Sequence, residues 1–210
     1  MDTSEATAIL ASFFASGNEF SFKRRSPIIH IHEHSKYVYW IMKGVVRAYS
    51  YSPGGDTVVH YLDKKGELFP LNQLFENASL EIGYAAFNDT IVQRKLFSEL
   101  FTLLRDQPLT LMALLEQEGD VYDRIMTLNT NPAEKRLAKW LLNLCGQFGN
   151  AQDERVDIDL AATVQELADC VRLSRESAGK ILHDLECDGS VIVGSQHIMI
   201  YPQRLRDYIQ

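Results

Sequence analysis

The segment Thr163-Val164-Gln165-Glu166-Leu167-Ala168-Asp169-Cys170-Val171-Arg172-Leu173-Ser174-Arg175-Glu176-Ser177-Ala178-Gly179-Lys180-Ile181-Leu182-His183-Asp184-Leu185 carries the most specific local signals in this chain of 210 residues. Thr163 and Glu166 form a capping box, in which a hydroxyl and a carboxylate three positions on satisfy free amides at a helix start. The helix that follows, Val164–Cys170, turns Leu167 and Val171 inward. A three-residue turn, Val171-Arg172-Leu173, leads to Ser174, which suits an N-cap. The second helix, 174–186, places Ala178, Ile181, Leu182 and Leu185 on one apolar stripe. Arg175, Glu176, Ser177, Gly179, Lys180 and His183 are left on its other face. Two short capped helices joined in this way are a helix-turn-helix. Two β-rich runs follow, Ser190–Val193 and Gln196–Ile200, joined by Gly194-Ser195, a two-residue hairpin signal. The hairpin makes the module a winged helix.

The exposed face suits base reading. Arg175, near the helix start, can donate two bonds to guanine O6 and N7, and Glu176 can accept from a cytosine amine. Lys180, one turn on, reaches a guanine or a phosphate. Each good base contact supplies ~1–3 kcal/mol of discrimination. Ser174, Ser177 and Gln165 are candidates for phosphate contacts, and equally for caps or solvated positions. A structural helical hairpin with an ordinary polar face is the competing reading. The caps, stripe, turn length and wing together favour DNA.

Working back toward the N-terminus, a helix from Ala133 to about Leu144 carries Leu137, Trp140, Leu141 and Leu144 on one face, and Gly146–Glu154 reads as a loop. Asn129-Thr130-Asn131-Pro132 is a break. Before it, strand alternation is absent from about Phe97 to Leu128, and Pro108 suits a first helical turn. Leu111, Leu114, Glu118, Val121, Ile125 and Leu128 fall at alternating spacings of three and four, a heptad seam interrupted by one acid. The five apolar members are expected to form a dimer interface. The first hundred residues hold short β-rich segments at Pro27–Ile31, Tyr37–Met42, Val45–Tyr51, Thr57–Leu62, Glu81–Phe87 and Thr90–Leu96, separated by turn signals such as Lys43-Gly44 and Pro53-Gly54-Gly55. A short helix, Ser4 to about Phe14, precedes them. The expected fold class is therefore α+β, with a jelly-roll-like β-roll over 1–106, a dimerisation helix over 107–130 and a winged helix over 131–210.

Composition sets limits on function. Net charge is −7, with 12 Lys/Arg against 16 Asp/Glu in residues 1–130 and 9 against 12 in 131–210. Both parts are acidic, so a nucleic-acid surface has to be a local patch. Three cysteines, Cys145, Cys170 and Cys187, fit neither a disulfide framework nor a four-thiolate metal site. No apolar run approaches the ~20 residues that cross a bilayer, and the acidic start Met1–Glu5 is unlike a signal peptide. These features are those expected of a cytoplasmic protein. No Walker loop, nucleophile elbow or paired-carboxylate motif points to an enzyme.

The run Leu173-Ser174-Arg175-Glu176-Ser177-Ala178-Gly179-Lys180, with Glu134–Ala138 and Ile200-Tyr201 around it, resembles the Crp/Fnr family of bacterial transcription regulators. More loosely, the likeness covers the whole chain. It implies a homodimer that places two recognition helices on a palindrome in double-stranded DNA, half-sites with a TGA-like core, RNA polymerase as a partner, and activation more often than repression. Arg172 stands where the family pattern often has glycine. Many relatives hold cyclic nucleotide through a Gly-Glu pair and a later Arg-Ser pair. Aligning Gly66-Glu67-Leu68-Phe69 with that cassette puts Pro70 and Leu71 at the first pair, and Leu80–Ala85 offers no Arg-Ser. Cyclic AMP is not expected, because a buried phosphate beside Glu81 would lack a cation. The iron–sulfur cluster of the oxygen-sensing branch needs N-terminal cysteines, and none precedes Cys145.

Two features stand apart from this reading. His30, His32 and His34 alternate with Ile31 and Glu33 and would share one face of a strand. They are candidate ligands for a transition metal, with His60 as a distant fourth, although Glu33 falls on the wrong face for a cupin pattern. The rival function is a cupin-like metal enzyme, or a metal sensor, using the C-terminal module for interaction. Solvated histidines at a strand end are the plainer alternative. Tyr37, Tyr39, Trp40, Tyr61, Phe69 and Tyr84 either form core or enclose another small ligand.

Overall fold

The computed structural model describes residues 3–74, 81–130, 132–149 and 152–209. Asn131 of the expected break, Leu80 of the cassette comparison, and Asn150 and Ala151 of the expected loop lie outside them. In chain order the elements are α1 (Thr3–Phe14), β1 (Asn18–Phe22), β2 (Pro27–Ile29), β3 (Tyr37–Lys43), β4 (Val45–Tyr51), β5 (Thr57–Lys64) and β6 (Leu68–Phe69). A 3-10 turn at Leu71–Leu74 is followed by β7 (Gly83–Ala86), β8 (Thr90–Leu96), α2 (Phe97–Asp106), α3 (Leu109–Thr130), α4 (Ala133–Phe148) and β9 (Val156–Ile158). The chain ends with α5 (Val164–Val171), α6 (Arg175–Cys187), β10 (Val191–Val193), β11 (Ile198–Ile200) and α7 (Pro202–Ile209). Contacts divide these into two units, Met1–Gly55 with His60–Tyr122, and Asp56–Val59 with Asp123–Gln210.

The first unit is organised around β3, whose Val38, Tyr39, Trp40 and Ile41 are all buried. A continuous apolar run rather than an alternating one marks a strand covered on both faces. Tyr39 and Ile41 point toward Ile29, Val46, Ala48 and Tyr84 of the second sheet, with Phe69 and Val92 from their own. Val38 and Trp40 point the other way, onto Leu10 and Phe14 of α1, Leu100 of α2 and Leu114 of α3. Two four-stranded antiparallel sheets result, ordered β1-β8-β3-β6 and β2-β7-β4-β5. They face each other as an open roll and do not close into a barrel. The short edge strand β6 is covered from α3, where the Gln117 amide accepts from Leu68 N (3.1 Å) and donates to Leu68 O (2.7 Å). One side chain thus supplies the pair of bonds that a neighbouring strand would have made.

Boundaries differ from expectation where local patterns were short. The first histidine-bearing strand stops at Ile29, β7 is Gly83–Ala86 only, and β1, β6, β9 and α7 carry no signal strong enough to predict. The stretch from Phe97 is two helices, separated at Gln107-Pro108. On α3 the expected seam separates into two rows. Leu114, Val121 and Leu128, seven apart, are buried within the chain, whereas Leu111 is 46% exposed and Ile125 is half-buried. The large apolar residues left outside among those described on this helix are Leu109, Leu111, Met112, Leu115, Tyr122 and Met126. A helix apolar on more than one face explains this: one row packs at home, and the neighbouring row is uncovered.

In the second unit, Leu137, Trp140, Leu141 and Leu144 of α4 are buried as their spacing predicts, although α4 runs on to Phe148. A three-stranded antiparallel sheet, β10-β11-β9, lies beyond the helix pair.

Candidate nucleic-acid interface

The helix pair is built as its caps predict. Glu166 Oε2 accepts from Thr163 N (2.8 Å) and Thr163 Oγ1 (2.9 Å), and Thr163 Oγ1 accepts from Glu166 N (3.2 Å). These bonds account for a carboxylate only 5% exposed at the start of α5. Leu167, Ala168 and Val171 are buried completely, which fixes the face of α5 turned to the core.

The turn depends on a left-handed residue. Arg172 has φ 55° and ψ 49° and ends α5, with Leu173 N reaching back to Ala168 O at 3.0 Å. This is the bond pattern by which a helix stops on a left-handed residue. Glycine enters that region freely, whereas a residue with a Cβ is strained there by ~1–2 kcal/mol. Arg172 therefore holds this turn at the cost of that strain. The Arg172 side chain donates from Nη1 to Asn129 Oδ1 at 3.0 Å, and Arg136 Nη2 donates to Arg172 O at 3.4 Å.

Ser174 then caps α6, its Oγ accepting from Ser177 N (3.1 Å) and donating to Ser177 Oγ (2.9 Å). Ala178, Ile181, Leu182 and Leu185 are buried beneath the helix. Arg175, Glu176 and Lys180 lie on the opposite face, exposed, and no ion pair or side-chain hydrogen bond holds them among the described residues. An arginine, a carboxylate and a lysine within two turns, with donors and acceptors uncommitted, form a set able to pair with base edges. Of the phosphate candidates, Gln165 is exposed and donates to Asp169 Oδ1 (2.7 Å), and Ser174 and Ser177 bond each other at the cap.

The wing forms one residue later than its sequence signal. Gly194 N donates to His197 O (2.9 Å) and Val193 pairs with Ile198, so Ser195 and Gln196, not Gly194 and Ser195, occupy the turn. Gly194 lies against the exposed His197 ring, so a Cβ there, 2.8 Å from it, would make that ring move aside.

The histidine set does not converge. Its strand ends before His30, and His32 is left-handed at φ 68°, which breaks the alternation that would have put three imidazoles on one face. Glu33 instead closes the local turn by accepting from His30 N (2.9 Å), and His60 bonds Ser50 Oγ (2.9 Å). No group of three or more His, Cys, Asp or Glu side chains able to hold a metal ion occurs among the described residues. The aromatic set is mostly core, with Phe69 stacked on Tyr39 (5.1 Å) and Tyr84 (5.2 Å), and Tyr84 donating to Asn72 Oδ1 (2.8 Å). Cys145 and Cys170 are buried, and burial pushes the Cys145 thiol up to about 11. Cys187 is exposed on α6, 3.6 Å from His183 Nε2. Among the described residues no helix is long and apolar enough to cross a membrane.

Residues 135–208 match the model of the Crp-like helix-turn-helix domain. The HTH-type transcriptional regulator ArcR of Staphylococcus aureus is 30% identical over 181 residues, covering 83% of this chain and 76% of ArcR. The structure of FixK2 from Bradyrhizobium japonicum superposes with a TM-score of 0.74 at 22% identity, over 91% of this chain and 96% of that one. A Crp/Fnr-family transcriptional regulator from Thermus thermophilus gives 0.68 at 23%, over 91% and 98%. The likeness extends well beyond the helix pair into the β-roll, and on that basis the chain belongs to the Crp/Fnr family of DNA-binding transcription regulators.

Proposed function

We propose that this regulator works as a cytoplasmic homodimer that reads a two-fold-symmetric DNA site through two copies of α6. The observation that carries the reading is the uncommitted, exposed set Arg175, Glu176 and Lys180 opposite the buried stripe of the same helix. Arg175 and Glu176 meet base edges in the major groove, Lys180 a guanine or a phosphate, and Ser174, Ser177 and Gln165 the backbone beside them. The functional division is a sensor over 1–106, a dimerisation helix over 107–130 and a DNA-binding domain over 131–210. Leu111, Leu115, Tyr122 and Met126, between 39% and 63% exposed, form the surface offered to the second copy, with Ile125 at its margin. Leu114, Val121 and Leu128 back that surface from inside. Pairing along α3 holds two recognition helices about one turn of DNA, ~34 Å, apart.

Binding proceeds without cyclic AMP, a reading supported by Pro70 and Leu71 in the cassette and by the aromatic rings stacked in the roll. Regulation is by activation, through contact with RNA polymerase, and no catalytic step is assigned to the chain. The test is selection from random duplexes by the purified protein at moderate salt with nothing added. Enrichment of a palindrome, with a TGA-like core in each half, is the expected result. Failure to enrich any sequence contradicts the reading.

A further inference from the structure

We infer that Arg172 and Asn129 form a strap that positions the recognition helix against the end of α3, and that Arg172 acts on DNA affinity through that strap and not as a phosphate contact. The inference rests on the reading of α6 given above and extends it to a residue that touches no base. Three observations carry it. First, Arg172 occupies a left-handed conformation that glycine would adopt without strain, at the one junction between α5 and α6. A non-glycine residue in such a strained place directs attention to what its side chain does. Second, that side chain is engaged: Nη1 donates to Asn129 Oδ1 at 3.0 Å. Asn129 lies in the last turn of α3, which has no basic residue of its own. The guanidinium therefore supplies, from the helix-turn-helix, the positive charge that a helix C-terminus favours. Third, the Arg172 carbonyl accepts from Arg136 Nη2 of α4 at 3.4 Å. Three elements are thus tied at one residue.

The consequence is mechanical. Arg172 is two residues before the cap of α6, so the bond to Asn129 restrains the direction in which α6 leaves the turn. The same helix α3 carries the surface offered to the second copy, so the strap links the pairing helix to the reading helix. Holding α6 in its reading direction before DNA arrives lowers the ordering cost of binding.

The test is a double-mutant cycle on DNA affinity with Arg172→Gly, Asn129→Ala and the pair, read with three controls. Each single variant is expected to bind the selected duplex about five- to tenfold more weakly, the change that loss of one ordinary solvent-exposed hydrogen bond makes. The double variant is expected to be no weaker than the singles, since both remove one strap. Arg172→Lys, which keeps the cation and a donor, restores most of the affinity. The slope of log affinity against log salt stays at the wild-type value, whereas loss of a phosphate contact flattens it by about one. Dimer mass is unchanged, and the melting temperature of Arg172→Gly stays close to that of the wild type, because relief of the left-handed strain offsets the lost bond and the added freedom of the unfolded chain. Without DNA, both variants raise hydrogen–deuterium exchange at 126–130 and 172–174. That readout distinguishes failure of the strap from failure of α6 to read DNA. A flattened salt slope for Arg172→Gly, additive losses, or unchanged exchange in Asn129→Ala would each overturn the strap.

Discussion

At the residue scale, one group of side chains holds the helix pair together and another is left free on its outer face. Thr163 and Glu166 do the first, through three hydrogen bonds around a nearly buried carboxylate. Thr163→Ala is expected to lower stability by about 1 kcal/mol, measured by urea unfolding. The cysteines give a second residue-level test. Cys187 is exposed, and Cys145 and Cys170 are buried, Cys145 with its thiol pushed up to about 11. A maleimide at neutral pH is expected to modify one thiol of the folded protein by mass, and three after denaturation. Reaction of all three in the folded state contradicts the packing of α4 and α5. The cap and the exposed face of α6 were legible in the sequence because a capping box and an i, i+3, i+4, i+7 stripe are local patterns. The partner of Arg172 was not, since Asn129 is 43 positions away and reads only as a helix breaker.

At the element scale, the proposed pairing of two chains turns on α3. Its three-and-four spacing indicated an apolar helix, but spacing alone could not say which row the chain keeps for itself. Leu114 is taken by the core that contains Leu10, Trp40 and Leu100, long-range contacts with no trace in the local sequence. Leu115→Glu, placed in the uncovered row, is expected to yield monomers in sedimentation while the fold is retained by circular dichroism. Glu118 is solvent-accessible beside this row, yet partial desolvation by its neighbours raises its carboxyl above the ordinary range. A raised carboxyl favours its protonated form, so stability linked to it is present at low pH and is lost as pH rises through that pKa. Pairing removes further water and acts in the same direction. The dimer is therefore expected to tighten as pH falls toward the carboxylate range, and Glu118→Gln to abolish the dependence and tighten the dimer at neutral pH. An unchanged pH profile in Glu118→Gln places the interface elsewhere. The histidine strand was misjudged for a related reason: alternation over five residues says nothing about a left-handed residue in the middle, and His32 is one.

At the scale of the whole molecule, a chain of net charge −7 approaches a polyanion. Net charge supplies no long-range attraction, and on the proposed reading affinity is expected to rest on a few groups on and around α6. Phe69 is stacked on Tyr39 and Tyr84 inside the β-roll, and Pro70 and Leu71 stand at the first pair of the cyclic-nucleotide cassette, so added cyclic AMP is expected to change DNA affinity by less than about twofold, a coupling well below the allosteric range. The order of roll, helix and winged helix could be read from changes of period along the chain. The open pairing of the two sheets could not, because the edge strands β2 and β6, three and two residues long, leave almost no pattern. The most direct measurement is the ratio of specific to non-specific DNA affinity for Arg175→Ala against the wild type, at one fixed salt concentration. The ratio is predicted to fall about tenfold or more, as loss of a bidentate base contact requires, with non-specific affinity nearly unchanged and dimer mass unaltered. A ratio equal to that of the wild type would mean that α6 does not read the bases through Arg175, and would contradict the account.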